Sequence, residues 1–193
     1  CIPHGQRPGD EVAVRVEYSQ RNPTGSVQLV WSLPDHAAIA PQELLDRVRE
    51  DGTSLLLLKS AESWMDAVSA YTGSAYHGYY SVGKNWVGGV HFVKEHPLFN
   101  GLPVNVAMGW PYQALVCNGD RRLGLHIDNE ELVAGSYGSA PFNLGSAVGI
   151  ISCGKGKIYY STLDLVDNLN NPAAAADVAR KLFCNFILLS KDR

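Results

Sequence analysis

The stretch SAVGIISCGKGKIYYSTLDL, residues 146–165, decides the predicted fold because it has the pattern of two strands joined by a tight turn. Its first seven residues are small or apolar and favour a strand, and residues 157–160 resume an extended pattern. Gly154 and Gly156 permit the positive φ angles of a short hairpin. Polar residues then follow at the carboxyl end of the second predicted strand: Ser161, Thr162 and Asp164.

The same stretch has the spacing of a phosphate-binding loop in Gly149, Gly154 and Lys155. Gly156 stands where that loop needs a Ser or Thr to hold a magnesium ion. The segment that follows is a predicted strand, so no helix amino terminus would meet a phosphate. The pattern therefore favours a plain hairpin over a nucleotide site, and we expect no cofactor.

Size and charge exclude several classes of protein. The chain has 193 residues, enough for one large domain whose core needs no disulfide or metal ion to stabilise it. Its net charge of −3 does not indicate the excess of positive charge that is typical of nucleic-acid-binding proteins. The longest apolar runs, 55–58 and 186–189, fall far short of the roughly 18 residues of a membrane span. We expect neither nucleic acid nor a membrane as a partner, and no sequon indicates a compartment.

The order of predicted elements indicates an α/β fold. Residues 12–18 and 26–33 have strand patterns, and an amphipathic helix is predicted over 41–50, beginning at Pro41 and stopped by Gly52. The continuous apolar run 55–58 is typical of a strand that is covered on both faces of a parallel sheet. This β-α-β order predicts an open, mostly parallel sheet.

The rest of the chain divides into a second helix, an insertion and a closing helix. The second helix is predicted over 61–71, and residues 77–125 form an aromatic-rich insertion of short extended runs. An amphipathic helix over 172–189 should close the sheet. Residues 1–25 are predicted as an N-terminal linker and edge strand, and residues 26–193 as the α/β domain. Because the chain starts without Met in a Pro- and Gly-rich segment, we expect a piece of a longer polypeptide.

Ligands bind beyond the carboxyl ends of the strands in open α/β sheets, so the residues directly after each strand are candidate cleft residues. These are Asp35, Ser60, Glu62 and Asp164. Ser60 lies where a nucleophile elbow would form, but the glycines that such an elbow needs are missing. Its alternative role is that of a helix N-cap serine. No catalytic residue is predicted.

Three other residue types, tryptophan, histidine and cysteine, raise the question of ligand contact. The side chains of Trp64, Trp86 and Trp110 could stack on sugar rings, although aromatic residues are first of all core material. The six histidines lack the i, i+4 spacing of a helical metal site, and no two of the four cysteines have zinc-knuckle spacing. We therefore predict no metal site.

Several segments together resemble a known domain: LPD at 33–35, LLLLKSAESW at 55–64, HPLFNGLPV at 96–104, WPYQALV at 110–116 and GKGKIYYSTLDL at 154–165. They are similar to the class I glutamine amidotransferase-like domain, a three-layer flavodoxin-like fold, found as a carboxyl-terminal module in some glycoside hydrolases of the family-two β-galactosidase type. Related segments occur in the β-galactosidase trimerisation domain and in trehalose-utilisation proteins. The resemblance covers about residues 26–190.

The resemblance implies the fold but argues against the amidotransferase reaction. That reaction uses a Cys in a glycine-flanked elbow and a downstream His and Glu, whereas this chain has Ser60 and no His after the strand at 157–161. It implies a non-catalytic accessory domain of a carbohydrate-active glycoside hydrolase. Its expected partners are the parent's other domains, with carbohydrate and a second copy of the chain as further candidates. The alternative is a self-sufficient hydrolase or sugar-binding module that uses Asp35, Ser60, Glu62 and Asp164.

Overall fold

The computed structural model describes residues 41–82, 89–107, 110–112, 115, 122–138, 144–172 and 176–191. The predicted strands at 12–18 and 26–33 lie outside these residues, as do Asp35 and Trp86. In chain order, the helices are α1 (Pro41–Asp51), α2 (Met65–Thr72), α3 (Leu165–Asn168) and α4 (Asp177–Leu189). The strands are β1 (Ser54–Leu57), β2 (Tyr76–Val82), β3 (Gly89–Val93), β4 (Val106–Ala107), β5 (Arg122–Ile127), β6 (Glu131–Gly138), β7 (Leu144–Cys153) and β8 (Gly156–Ser161).

The first helices end where glycine allows a left-handed backbone. α1 stops at Gly52, which has φ 71°, and α2 stops at Gly73, whose N–H donates to the Ser69 carbonyl at 2.9 Å. A 3₁₀ turn, Ala61–Trp64, precedes α2. The predictions of these two helices and of the buried strand between them are confirmed.

The β7–β8 hairpin is also confirmed, and the two glycines at its turn have different roles. Gly154 has φ +58°, as the turn requires. Gly156 does not, so the prediction of a positive φ there is wrong. Its hydrogen side chain instead permits a close approach, because a Cβ on Gly156 would lie 2.2 Å from the Thr53 carbonyl oxygen.

The strands form one open sheet in the order β1-β8-β7-β6-β3-β4, with β5 on β7 and β2 on β5. β1 and β8 are parallel, and the other six pairings among the described strands are antiparallel. The prediction of a mostly parallel sheet is therefore wrong for this part of the chain. The reason is that residues predicted as an insertion supply sheet strands themselves, and these strands pair antiparallel with their neighbours.

Side chains alternate along the strands and bury two apolar clusters, one on each face of the sheet. In β1, Leu55 and Leu57 pack with α1 and α2, whereas Leu56 contributes to the cluster that contains α4. The predicted closing helix is confirmed but begins later than predicted, at Asp177, and its Leu182 and Phe186 are fully buried. The described chain is thus a mixed α/β domain with helices on both faces of an open sheet. Among the described residues, no helix is long and apolar enough to cross a membrane.

The HPLFNG segment is held against α4 by a buried amide. Leu98 and Phe99 of the 3₁₀ turn Pro97–Phe99 are buried, and the Nδ2 of Asn185 donates to the Leu98 carbonyl at 2.8 Å and to the Asn100 carbonyl at 3.0 Å. His96 accepts a hydrogen bond from the Leu98 N–H at 3.1 Å through Nδ1. The HPLFNG segment therefore packs against α4 and helps to hold this helix in place.

Candidate functional site

A polar pocket lies beyond the carboxyl ends of the parallel strands β1 and β8. Leu57 and Tyr160 are paired in the register of these strands, so the chain segments that follow them leave the sheet side by side. They enclose an open cavity of about 350 Å³. We call it the strand-end pocket, and its lining residues are Leu58, Lys59, Ser60, Glu62, Ser161, Thr162, Leu163, Asp164, Leu165, Val166 and Asp167. The structure thus brings together three of the four predicted cleft residues.

Ser60 has a left-handed backbone, with φ 52° and ψ 39°, at the turn between β1 and the 3₁₀ turn that leads into α2. Ser60 stands at the N-cap position of that 3₁₀ turn, as the alternative interpretation predicts, but its side chain makes no capping hydrogen bond. The Ser60 carbonyl instead accepts from the Ser63 N–H at 3.1 Å and from the Ser63 hydroxyl at 2.7 Å. These contacts fix the backbone and leave the exposed Ser60 hydroxyl to face the pocket region.

The opposite wall of the pocket is held by hydrogen bonds of the segment after β8. The buried Ser161 hydroxyl accepts from the Leu163 N–H at 3.1 Å. The Asp164 N–H donates to the Leu115 carbonyl at 3.2 Å, and the Asp164 carbonyl accepts from Asn168 Nδ2 at 2.7 Å. A wall fixed in this way is suited to ligand binding because little conformational entropy is left to lose.

Three carboxylates and one ammonium group give the pocket its electrostatic character: Glu62, Asp164, Asp167 and Lys59. Lys59 Nζ lies 2.7 Å from Asp167 Oδ1, and this ion pair joins the two sides of the rim. Both side chains are well exposed, at 59% and 63%. With hydroxyl groups and carboxylates, the pocket can accept and donate hydrogen bonds to a hydroxyl-rich ligand. No imidazole or thiol is among its lining residues in the described part of the chain.

Of the tryptophans predicted to stack on sugar, Trp64 does not line this pocket, and Trp86 lies outside the described residues. Trp64 is half-buried and packs against the apolar cluster that α1 and α2 cover. Trp110 belongs to the 3₁₀ turn Trp110–Tyr112, and its side chain lies outside the described part of the structure. In the same turn, Tyr112 is fully buried and donates a hydrogen bond to the Pro103 carbonyl, and burial raises its pKa to about 12.

A second polar cluster was missed by the sequence reasoning. His77, His126 and Asp128 each offer a ligand atom, and these atoms all lie within 4.8 Å of one another. His77 Nε2 is 2.9 Å from Asp128 Oδ1, and the two imidazole rings have centroids 4.7 Å apart. We call this group the imidazole–carboxylate cluster. The available signal was the alternation at 126–128, in which His126 and Asp128 flank the buried Ile127.

A partly buried carboxyl group lies between these two regions along the chain. Glu130 follows the turn after β5, and Tyr160 Oη donates a hydrogen bond to its carboxylate. Burial raises the pKa of the Glu130 carboxyl, and burial together with the Glu130 charge raises the pKa of Tyr160 well above its ordinary value. Gly149 makes the space for this contact, because a Cβ there would lie 2.6 Å from both partners.

No family model matches the chain. No curated protein matches it either. The fold and the two polar regions define a mixed α/β domain with an open sheet, a strand-end pocket and an imidazole–carboxylate cluster.

Proposed function

We propose that the chain is a non-catalytic accessory domain of a carbohydrate-active glycoside hydrolase, of the flavodoxin-like, class I glutamine amidotransferase-like type. The observation that carries the proposal is a serine at a strand–helix turn with no imidazole or thiol among the described residues that line the pocket. Ser60 occupies a strand–turn–helix position in a left-handed backbone, yet the described lining of the pocket holds no imidazole or thiol. A serine needs an adjacent base to act as a nucleophile. In this proposal the pocket binds a ligand and does not cleave it.

The chemistry of the pocket supports a hydroxyl-rich ligand. Its volume of about 350 Å³ is near the lower end of the range of small-molecule sites, about 300–1,000 Å³. That size fits a single sugar ring better than an extended chain. Ser60 and Thr162 supply hydroxyl groups, and Glu62 and Asp164 supply carboxylates that accept hydrogen bonds from sugar hydroxyls.

The proposal is tested by binding measurements on the isolated chain. A panel of mono- and disaccharides is titrated into the chain while its amide spectrum is followed by NMR. A second panel, of nitrophenyl glycosides, is tested for hydrolysis. We expect saturable shifts at the strand-end pocket and no hydrolysis. Ser60→Ala and Glu62→Gln should each weaken binding several-fold.

Matched controls come from exposed residues outside the pocket. Ser152→Ala on β7 and Glu50→Gln on α1 make the same chemical changes at residues that do not line the cavity. We expect these variants to bind like the wild type. Equal losses in all four variants would show that the effect is not local to the pocket.

The role in a parent enzyme needs a separate comparison. The parent glycoside hydrolase is assayed with and without this domain for turnover, thermal midpoint and oligomeric state. We expect at least one of these to change, because an accessory domain acts through its partners. If the parent is unchanged in all three and the isolated chain binds no sugar, the proposal is wrong.

One observation favours the rival function of a self-sufficient hydrolase or sugar-binding enzyme. Left-handed non-glycine residues cluster at functional sites, and the Ser60 hydroxyl has no capping partner. The rival uses Ser60 with Glu62, Asp164 and Asp35. Hydrolysis by the isolated chain that disappears in Ser60→Ala or Glu62→Gln, with Ser152→Ala active, would establish it in place of our proposal.

A further inference from the structure

The imidazole–carboxylate cluster is assembled by the register of two antiparallel strands. Tyr76 of β2 pairs with Ile127 of β5, and Tyr79 pairs with Leu125. Three steps along β2 therefore match two steps along β5, which is the signature of a β-bulge. The extra residue places His77 and Gly78 together opposite His126. Directly opposed residues of an antiparallel pair present their side chains on the same face.

The third member of the cluster, Asp128, is placed by the alternation of side chains along a strand. Asp128 is two residues after His126, so its side chain returns to the face that His126 occupies. The Asp128 N–H donates to the Ala75 carbonyl at 3.0 Å, which continues the ladder one step past the end of β5. Leu125 and Ile127, on the other face, are buried in the core. The core therefore fixes which face of β5 carries the cluster.

We propose that His77, His126 and Asp128 bind one divalent transition-metal ion of the zinc class. Imidazole nitrogens and a carboxylate oxygen are ligands that Zn²⁺ takes at about 2.0–2.2 Å. Ligand atoms around a tetrahedral ion at that distance are about 3.4 Å apart. The ligand atoms of the cluster all lie within 4.8 Å of one another, so their spacing exceeds this arrangement by about 1.4 Å at most.

The surroundings allow the side chains to rotate. The side chains of His77 and Asp128 are 47% and 49% exposed, and His126 is exposed as well. The ion would replace the hydrogen between His77 Nε2 and Asp128 Oδ1, which are 2.9 Å apart. Three protein ligands leave one position of a tetrahedral ion open to water or to an incoming donor, the arrangement of catalytic zinc sites. The exposed cluster leaves that position facing solvent.

The test is calorimetric titration of ZnCl₂ into the untagged, metal-free chain with its thiols kept reduced. We expect one ion bound per chain. His77→Gln and Asp128→Asn should each raise the dissociation constant tenfold or more, because even the loss of an outer partner of a metal ligand costs about 10–100-fold. Asn at 128 can still accept a hydrogen bond from His77, so this variant tests the metal and leaves the fold intact.

Controls separate this site from other ligands in the chain. Asp66→Asn makes the same substitution at an exposed position on α2 and should leave the affinity unchanged. Cys184 is an exposed free thiol that could also hold zinc. A Co²⁺ titration distinguishes the two, because thiolate ligation adds a sulfur-to-cobalt charge-transfer band that a nitrogen and oxygen site lacks. Absence of zinc uptake by the wild type, or undiminished affinity in both variants, would overturn the proposal.

Discussion

The strand-end pocket and the imidazole–carboxylate cluster are built on one sheet by opposite means. In the pocket, two parallel strands run the same way, so the segments after Leu57 and Tyr160 leave the sheet at the same edge. In the cluster, two antiparallel strands run past each other, and the bulge between Tyr76 and Tyr79 decides which side chains face one another. Direction alone assembles the pocket, whereas the cluster depends on register.

This difference determines how each region should respond to substitution. Residues of the pocket lie on the segments that follow β1 and β8, which hydrogen bonds to Ser60 and Asp164 hold in place. His77 and His126 of the cluster lie on the strands themselves, and Asp128 directly follows one, so a shift of one residue moves a side chain to the other face of the sheet. Perturbing the β1–β8 pair should therefore damage the pocket and spare the cluster, and perturbing the bulge should do the reverse.

The largest effect is expected from Gly156→Ala, which attacks the parallel pair. The new Cβ would lie 2.2 Å from the Thr53 carbonyl oxygen and 2.5 Å from the Val48 carbonyl oxygen. Both are backbone atoms, so β1 or α1 must shift, and we expect a loss of about 3 kcal/mol in the free energy of unfolding. Denaturant unfolding measures this loss. Zinc affinity that falls as much as sugar affinity would contradict the separation of the two regions.

Gly78→Ala tests the bulge and should have the next largest effect. Gly78 has φ +91°, but a Cβ there would meet no atom within 4 Å. The cost is therefore one of conformation without a clash, about 1–2 kcal/mol. Because relaxing the bulge turns His77 away from His126, we expect zinc affinity to fall and sugar affinity to stay. Thermal melts and the two titrations check both parts.

A smaller, pH-dependent effect is expected from Glu130→Gln, at the contact that joins the β5–β6 turn to β8. Burial raises the pKa of the folded Glu130 carboxyl above its ordinary value of 4.5. Below that value the carboxyl is protonated in both states, and its contribution to stability is fully present. As pH rises through the raised pKa, the partly buried carboxyl loses its proton and stability falls.

Glutamine stays neutral at every pH. The thermal midpoint of Glu130→Gln should therefore rise relative to that of the wild type as the pH increases from 4.5 to neutral. Tyr160→Phe should act in the opposite direction. The Tyr160 hydrogen bond lowers the Glu130 pKa, and its removal should extend the loss of stability to higher pH. Parallel midpoints in wild type and Glu130→Gln at every pH would disprove the assignment.

The smallest effect is expected at the rim of the pocket. Lys59 and Asp167 form an ion pair across it, but both side chains are more than half exposed. A double-mutant cycle of Lys59→Ala and Asp167→Ala should give a coupling of about 0.2–1 kcal/mol that disappears at high salt. A larger coupling that resists salt would mean that the rim is a structural part of the pocket.

The elements that were predicted correctly are the ones with local causes. Pro41, Gly52, Gly73 and Gly154 start or stop their elements through their own backbone preferences. The strand-end residues Ser60, Glu62 and Asp164 could be placed together because a parallel pair follows from the apolar run of β1. Neither inference needs to know which distant strands pair.

The elements that were missed depend on distant partners. The pairings of β3 with β6 and of β5 with β7 join segments far apart in the chain, and no local pattern between 77 and 125 shows them. The imidazole–carboxylate cluster needs, in addition, the bulge at Gly78, since a regular register would not place two residues opposite His126. Ligands that two strands supply do not have the i, i+4 spacing of a helical metal site.

The residue that is retained at position 60 under selection would show why a serine occupies this turn. Of the non-glycine residues with positive φ in the described part of the chain, the other two are Asn105 and Asn129, and asparagine tolerates this backbone better than serine does. A library of variants selected for thermal resistance alone should drift to glycine at position 60. A library selected for the work of the domain should keep the hydroxyl. The residue that each library retains would show whether this turn is inherited for its shape or for its chemistry.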